Sequence, residues 1–463
     1  MDAVRDRSSK TKLSPLKNTA RRWGDPMALE AKTEASVGIE LTTAREAIAR
    51  QARSSADPLM RVQVVPVPAV DVPSVDAASA QRARQKFTQS SLHSAAEMGA
   101  RALRGVRYLV DMVTDTALSR SYWPDAPRKS KPRVLAELLW WLMRHGEINH
   151  LYYLFGLDRK DTRRDDVMSY RDFRRRRNRL NLRVPGMPYN YVCVLRDKFV
   201  FSQFLGSLGI PTPTTFALLD GTTVTWLDTK QRAPLRAPLR APLLGMSDSG
   251  RSRYDGFCKP IDGTHGQGAF PLCIENGRIS TNDSELSSDQ LAKMLDGRFL
   301  FQERIQQHPA MSAPHPASVN TVRIITFFRS GKPMVFCASA RMGTGGRAVD
   351  NWSTGGLTIG VDAQTGEFQA EGFFKPGYGG RTARHPDTGV VFEGLRVPHF
   401  QEAVQIVLQL HDYLPQVHSI GWDIAISTRG PVVIEGNDDW HGIVPMLHER
   451  DVRRRLHAML QRQ

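Results

Sequence analysis

Ile420-Gly421-Trp422-Asp423-Ile424-Ala425-Ile426-Ser427-Thr428-Arg429-Gly430-Pro431-Val432-Val433-Ile434-Glu435-Gly436-Asn437 is the stretch on which the reading of this chain turns. Two runs rich in β-branched residues flank Thr428-Arg429-Gly430, which reads as a three-residue hairpin loop with glycine where left-handed backbone is needed. With Arg429 at its centre, Asp423 and Glu435 stand six residues to either side and face each other across the strands. Side chains alternate along a strand, so Asn437 shares the face of Glu435. Opposed carboxylates repel unless a cation lies between them. Two carboxylates and an amide oxygen form a hard donor set suited to Mg²⁺, which takes a few carboxylates together with substrate phosphates. A hairpin with acids on a solvated face has the same pattern, and geometry leaves both readings open.

The chain has 463 residues with 41% hydrophobic content, more than one ordinary domain and enough for sizeable cores. A net charge of +16 implies attraction to polyanions: nucleotides, acidic saccharides, nucleic acid or a membrane surface. Cys193, Cys258, Cys273 and Cys337 are scattered without zinc or CxxC spacing, which fits a reduced compartment better than a disulfide framework. No apolar h-region follows the basic N-terminus. Val134 to Met143, the most apolar stretch, is too short to span a bilayer and holds Glu137. The expectation is a soluble, cytoplasmic protein, at most peripheral at the inner face of a membrane.

Three regions are expected. Residues 1–85, rich in Ala, Ser, Pro and Arg, read as a disordered tail and linker, with at most a short helix over 42–52. Residues 86–185 have helical periodicity: Leu103, Val106, Val110 and Val113 mark one amphipathic helix, and Leu135, Leu138, Leu139, Leu142 and Met143 another. Trp140-Trp141 reads as packing between helices, with sugar stacking or membrane insertion as the alternatives. Arg174-Arg175-Arg176-Arg177 reads as a solvated helix face, with a grip on phosphate or anionic lipid as the alternative; no interleaved aromatics suggest base stacking. Residues 186–463 hold the chemistry. Within them RAPLRAPLRAPL (232–243) is a local duplication whose prolines exclude helix and central strand.

Asp197-Lys198 opens an amphipathic helix that ends before Gly209, and Ile210-Pro211-Thr212-Pro213 leads into a strand. A lysine in the first helical turn opposes the helix dipole, which gives it interest of its own. Lys259 sits on a strand before a loop holding Gly263, Gly266 and Gly268, where backbone N–H groups can close on phosphate; a plain hairpin turn is the alternative. There is neither a GxxxxGK[ST] sequence nor the strand–loop–helix context of a dinucleotide fingerprint. Arg323 lies within the apolar strand Val319–Phe328 and needs an anionic partner, either an internal acid or bound phosphate. Arg341, Asp350-Asn351 and Gly355-Gly356 follow in order. Arg381, Arg384 and His385 could bind an acidic co-substrate or belong to an ordinary loop. No GxSxG, HExxH or recognisable Cys–His pair appears.

Taken in order, these segments resemble the sugar-transfer-associated ATP-grasp family and, more distantly, the glutamate-ligating ATP-grasp enzymes, over roughly 188–441. The resemblance implies an α/β (α+β) ATP-grasp fold in which two subdomains clamp ATP. It implies that Asp423, Glu435 and Asn437 bind Mg²⁺, expected as two ions with Mn²⁺ able to substitute, and that Lys198, Lys259 and glycines 263, 266 and 268 hold the phosphates. Gln302, Glu303 and Ile305 would meet the nucleotide at an interdomain hinge. Arg323, Arg341 and Asn351 would surround the transferred phosphoryl and acyl groups, for which forked guanidinium donors are suited. Asp438-Asp439-Trp440 departs from the small residues usual in the family and could add a carboxylate near the metals.

The favoured function is therefore an ATP-dependent carboxylate–amine ligase, acting on small-molecule or saccharide carboxylates and amines beside enzymes of glycan biosynthesis, with no specific nucleic acid as partner. Two alternatives stay open: an ATP-grasp kinase acting on a hydroxyl, and a non-catalytic basic adaptor.

Overall fold

A computed structural model describes residues 107, 109, 110, 112, 119–182, 190–220, 223–227, 230, 232–234, 253–263, 268–275, 278–281, 284–443, 447 and 452–461. The chain divides into compact units Met1–Phe87 and Thr88–Gln463, and all described residues belong to the second. The readings of 1–85, of most of the helix over 103–113, of Gly266 and of the repeat beyond Pro234 lie outside the described residues.

Fifteen strands form two sheets whose neighbouring strands run antiparallel. The first contains β1 (Thr215–Asp220), β2 (Thr223–Trp226), β3 (Arg232–Pro234), β4 (Arg253–Pro260), β5 (Phe270–Glu275), β6 (Arg278–Thr281), β7 (Ser284–Leu286) and β8 (Arg298–Glu303), in the order β3-β2-β1-β8-β4-β5-β6-β7. The second contains β9 (Thr321–Arg329), β10 (Lys332–Met342), β11 (Leu357–Val361), β12 (Phe368–Phe374), β13 (Arg381–Thr382), β14 (Ser419–Ser427) and β15 (Gly430–Asn437), in the order β13-β12-β11-β10-β9-β14-β15. Among the described residues, helices α1 (Lys131–His145), α2 (Tyr170–Leu182), α3 (Val192–Arg196), α4 (Lys198–Ser207), α5 (Ser288–Met294), α6 (Pro309–Ser312), α7 (Phe400–Asp412) and α8 (Val452–Met459) accompany them. Among the described residues no helix is long and apolar enough to cross a membrane.

Alternation along β9 decides which side of the second sheet does what. Val322 and Ile324 point to a core shared with Trp422, Ile424, and Ala403, Val407 and Leu410 of α7. Ile325 and Phe327 point the other way, into a core built with Trp141 of α1, Phe173 of α2 and Trp440. Arg323 is on this second side too, because it is two residues from Ile325. The helices before residue 182 thus cover the apolar part of the face whose remainder is charged. Gly421 permits that closure: a Cβ there would lie 2.7 Å from Cβ of Trp440.

The four-arginine run is split by its helical phase. Phe173, Arg177 and Asn181, spaced by four, form the buried side of α2. Arg177 is fully buried and donates to the Trp440 carbonyl and to Asp439, while Asn181 Nδ2 donates to the carbonyls of Ser419 (2.9 Å) and Asp438 (3.0 Å). The reading of the run as a solvated face is corrected at this position: Arg177 is an anchor for the turn after β15, because the apolar stripe of α2 carries it inward. Asp438 pairs with Arg196 at 2.8 Å, so the pair Asp438-Asp439 serves ion pairs that hold this turn. Arg177→Ala would leave a buried carbonyl and Asp439 without their cation, and we expect a loss of about 3 kcal/mol in urea unfolding. Arg175→Ala, on the exposed side, should change stability by less than about 0.5 kcal/mol. Equal losses would put Arg177 on the solvated face after all.

Candidate active site

Asp423 and Glu435 face each other across β14 and β15, as the spacing requires, but the hairpin reaches that register by another route. Pairing continues to Ser427 and Gly430, so the loop is the two residues Thr428-Arg429 rather than three. Gly430 enters the strand itself at φ 115°, and Ser427 Oγ closes the turn by accepting from Arg429 N at 3.0 Å. That turn alone would bring Ile434 opposite Asp423. A register shift between Asp423 and Ile424 adds one residue on β15, a bulge, and sets Glu435 opposite Asp423. Asn437 Nδ2 lies 3.2 Å from Glu435 Oε1 and 3.4 Å from Asp423 Oδ2, so the three side chains meet on one face.

Asp423 has a second neighbour, Arg323, which faces it from β9. Arg323 grips the carboxylate with both arms, Nε to Oδ1 and Nη2 to Oδ2 at 2.7 Å. Arg341, on β10, reaches the same Oδ2 at 2.8 Å and donates to Thr321 Oγ1 at 2.9 and 3.0 Å. Thr321 N and Oγ1 in turn donate to Asp350, the N–H at 3.0 Å. Of the two partners open to Arg323 in the sequence, the internal acid is the one present, and it is the first of the expected metal ligands. Thr321 is a member that sequence reasoning missed.

The charges in this cluster are strongly coupled. Burial alone would raise the Asp423 carboxyl, but Arg323 and Arg341 outweigh it and hold Asp423 far below the usual carboxylate range. Burial and the Asp423 charge push Glu435 up. Asp350 is also raised, by burial. The first sheet supplies cations. Burial pushes Lys259 down to about 8, with Glu435 opposing and Lys198 adding to the shift. Lys259 is 9% exposed, and among the described residues its Nζ has no hydrogen-bond partner. Lys198, also lowered by burial, is placed by the Asp197 N-cap and donates to the carbonyls of Gly263 and Ile261, the latter at 3.2 Å. The loop from Ile261 joins the antiparallel strands β4 and β5, and Gly268 returns through it at φ 72°.

The remaining expected residues are placed as follows. Gln302 is buried, with Nε2 donating to Thr215 Oγ1 at 2.9 Å, and Glu303 Oε1 accepts from Thr214 N at 3.1 Å. Both thus tie β8 to the entry of β1, and half-buried Ile305 follows. Asn351 accepts from Ser353 N at 3.0 Å as the cap of a short 3₁₀ turn, Trp352–Thr354. His385 is buried, with Nε2 2.8 Å from the Gly343 carbonyl, and Arg381 pairs with Glu371 at 2.7 Å, while Arg384 is exposed. Among the described residues, Asp423, Glu435, Asn437, Arg323 and Arg341 are brought into one contact cluster, and Lys198 meets the Gly263 carbonyl.

Asp423 and Glu435 place opposed carboxylates on one face, with the Asn437 amide turned to both through Nδ2, and a pair of carboxylates beside an amide suits a hard divalent cation. Among the described residues no group of three or more His, Cys, Asp or Glu side chains is arranged for a metal, so the amide is needed to complete the set.

The sequence model described as sugar-transfer associated ATP-grasp matches residues 176–461. No curated protein matches the chain. Among solved structures it is similar to an ADP complex of N5-carboxyaminoimidazole ribonucleotide synthetase (13% identity, TM-score 0.32, covering 54% of this chain and 46% of that one). It is also similar to an L-amino acid ligase from Bacillus licheniformis (12%, 0.31, 58% and 45%) and to D-alanyl-alanine synthetase A from Vibrio cholerae (9%, 0.31, 58% and 61%). The chain therefore spans less than half the length of the first two.

Asp423→Ala should cost about 3–5 kcal/mol in chemical unfolding of the ligand-free protein, because two guanidinium groups lose their shared anion. Glu435→Gln should have the opposite sign. A carboxyl raised in the folded state binds its proton more tightly there, so wild-type stability falls as pH rises from the unfolded value through the folded one. The variant is then the more stable at neutral pH, and the advantage disappears on acidification. Melting temperatures between pH 4 and 8 test this, and a destabilised Gln variant at neutral pH refutes it.

Proposed function

Because the chain belongs to the sugar-transfer associated ATP-grasp family, we propose that it is an ATP-dependent, ADP-forming ligase that activates a carboxylate for attack by an amine or similar nucleophile. Its two antiparallel sheets with flanking helices are the α+β architecture of that fold. The reading rests above all on Lys259, a buried cation with no hydrogen-bond partner among the described residues, on the strand that leads into the glycine loop. An isolated buried ammonium is costly, and an anion delivered by a ligand removes the cost.

Lys259 on β4 and Lys198 at the start of α4 hold the triphosphate. Asp423, Glu435 and Asn437 would hold Mg²⁺, which supplies charge neutralisation to the phosphates when bound. Arg323 and Arg341 fix Asp423 in its ionised form, so this ligand needs no deprotonation. Arg341, whose guanidinium also meets Thr321, stands at the edge of the charged face and orients the acceptor carboxylate toward the γ-phosphoryl group. A carboxylate oxygen displaces ADP at phosphorus to give an acyl phosphate; the amine nitrogen then attacks the carbonyl carbon, phosphate leaves, and the amine loses a proton to solvent. Gln302, Glu303 and Ile305 line the adenine end, where Gln302 and Glu303 act by fixing the backbone of the hinge. Asn351 contributes by shaping the loop after Arg341. The family description, with its reference to sugar transfer, supports a saccharide-borne carboxylate or amine as substrate and glycan-biosynthesis enzymes as neighbours. We assign this chemistry to 186–463, with 86–185 as a helical region preceding it.

Mg²⁺-ATP should raise the melting temperature of the wild type, and Lys259→Met should abolish most of that rise. The same variant should be more stable than wild type without ligand below pH about 8, since the folded protein then bears a charged buried lysine. That difference should shrink between about 8 and 10.5, where the folded state has released the proton and the unfolded chain has not. Retention of the full nucleotide shift in Lys259→Met sinks the assignment. In a screen of sugar acids and amino acids with amines, release of ADP and phosphate together supports the ligase, whereas ADP with a stable phosphorylated product makes the protein a kinase.

A further inference from the structure

Helix α1 has two apolar sides. Val134, Leu138 and Trp141 face the core, together with Glu137, which is held by Lys129 Nζ (2.9 Å) and Tyr152 OH (2.6 Å). At about 100° per residue, Leu135, Leu139 and Met143 fall on the opposite side, with Pro132 and Ala136 between them. They are 37%, 42% and 79% exposed. Lys131 borders this outer stripe on one edge, and Arg133 and Arg144 border it on the other; all three are exposed. Trp140, half-buried, lies at the second edge with the Arg164 guanidinium 3.9 Å above its ring.

No acid lies on the outer side of α1: Glu137, its only carboxylate, is buried toward the core and also accepts from Arg133 Nε at 3.3 Å. Acids near the helix are engaged: Asp172 lies 2.9 Å from His145 Nδ1, Glu147 Oε1 accepts from Ser169 Oγ at 2.6 Å, and Asp166 accepts from the Arg163 N–H at 2.7 Å. An exposed row of large apolar side chains edged by cations and an indole is the pattern of a helix lying in a lipid–water interface. A face meeting another protein has no reason to exclude acids so completely, and a chain of net charge +16 adds long-range attraction to an anionic bilayer.

We propose that the outer face of α1 docks the protein on an anionic membrane surface, with Leu135, Leu139 and Met143 entering the headgroup–acyl boundary and Lys131, Arg133 and Arg144 contacting lipid phosphates. This assignment is independent of the nucleotide-site reading. The full chain and its Leu139→Asp/Met143→Asp variant would be floated with phosphatidylcholine vesicles, alone or containing about one third phosphatidylglycerol. Wild type should bind the anionic vesicles at least about tenfold more tightly than the neutral ones, with weakening at high salt, and the variant should lose about tenfold while keeping its melting temperature. Equal binding by wild type and variant would overturn the proposal by assigning lipid attraction to another basic segment. Absence of binding by wild type would also overturn it. So would a wild-type dimer that the variant converts to monomer, since the stripe would then be an interface between copies of this chain.

Discussion

One buried carboxylate, Asp423, organises the charged half of the second sheet. It is 1% exposed, and desolvation of that kind is tolerated only because three strands bring partners to it. Arg323 comes from β9, Arg341 from β10, and the opposed Glu435 from β15. Each neighbour is fixed by strand register, so the electrostatics of the site follow from the sheet order β10-β9-β14-β15. A slip of one residue in any of these ladders would turn the corresponding side chain into the core on the other face. The bulge beside Asp423 is therefore a constraint on function as well as on shape: without it an isoleucine would oppose Asp423.

The helical segment before residue 182 is part of the same construction. The apolar portion of the site-bearing face, with Ile325, Phe327 and Phe373, needs cover, and α1, α2 and Trp440 supply it. Arg177 and Arg196 then secure the turn through Asp439, the Trp440 carbonyl and Asp438. A departure from the family pattern at 438–440 thus has a structural account. These residues join the end of the β14–β15 hairpin to the helices that cover its sheet.

Much of this was legible in the chain, and the limits have physical causes. The Asp423–Glu435–Asn437 set could be read because alternation is a local rule, and it survived a misjudged loop because the bulge compensated for the missing turn residue. The strand carrying Lys259 and the glycine loop after it could be read from the local run of residues. The partner of Arg323 could not, because it lies a hundred residues away and depends on which strands become neighbours. Arg177 was hidden by its company. In a run of four arginines, composition suggests solvent, and only the spacing Phe173-Arg177-Asn181 reveals the buried side. Gln302 and Asn351 show a further limit: a polar residue next to a site can be fully engaged in holding backbone, and sequence position does not separate that task from ligand contact.

The ligand-free cluster is arranged so that its ions answer one another unequally. Asp423 has two cations, Glu435 lies against an anion, and Lys259 has no hydrogen-bonded partner among the described residues. A protein selected for stability alone would pair the surplus groups or replace them by apolar residues, since buried charges left without close partners cost more than they return. The imbalance has a direction: anionic oxygens are wanted at Lys259 and positive charge is wanted between Asp423 and Glu435. A polyphosphate accompanied by a divalent cation satisfies both demands at once, and either component alone satisfies one. Under the proposed function, nucleotide and cation would bind interdependently, because each would relieve a strain in the cluster that the other leaves standing.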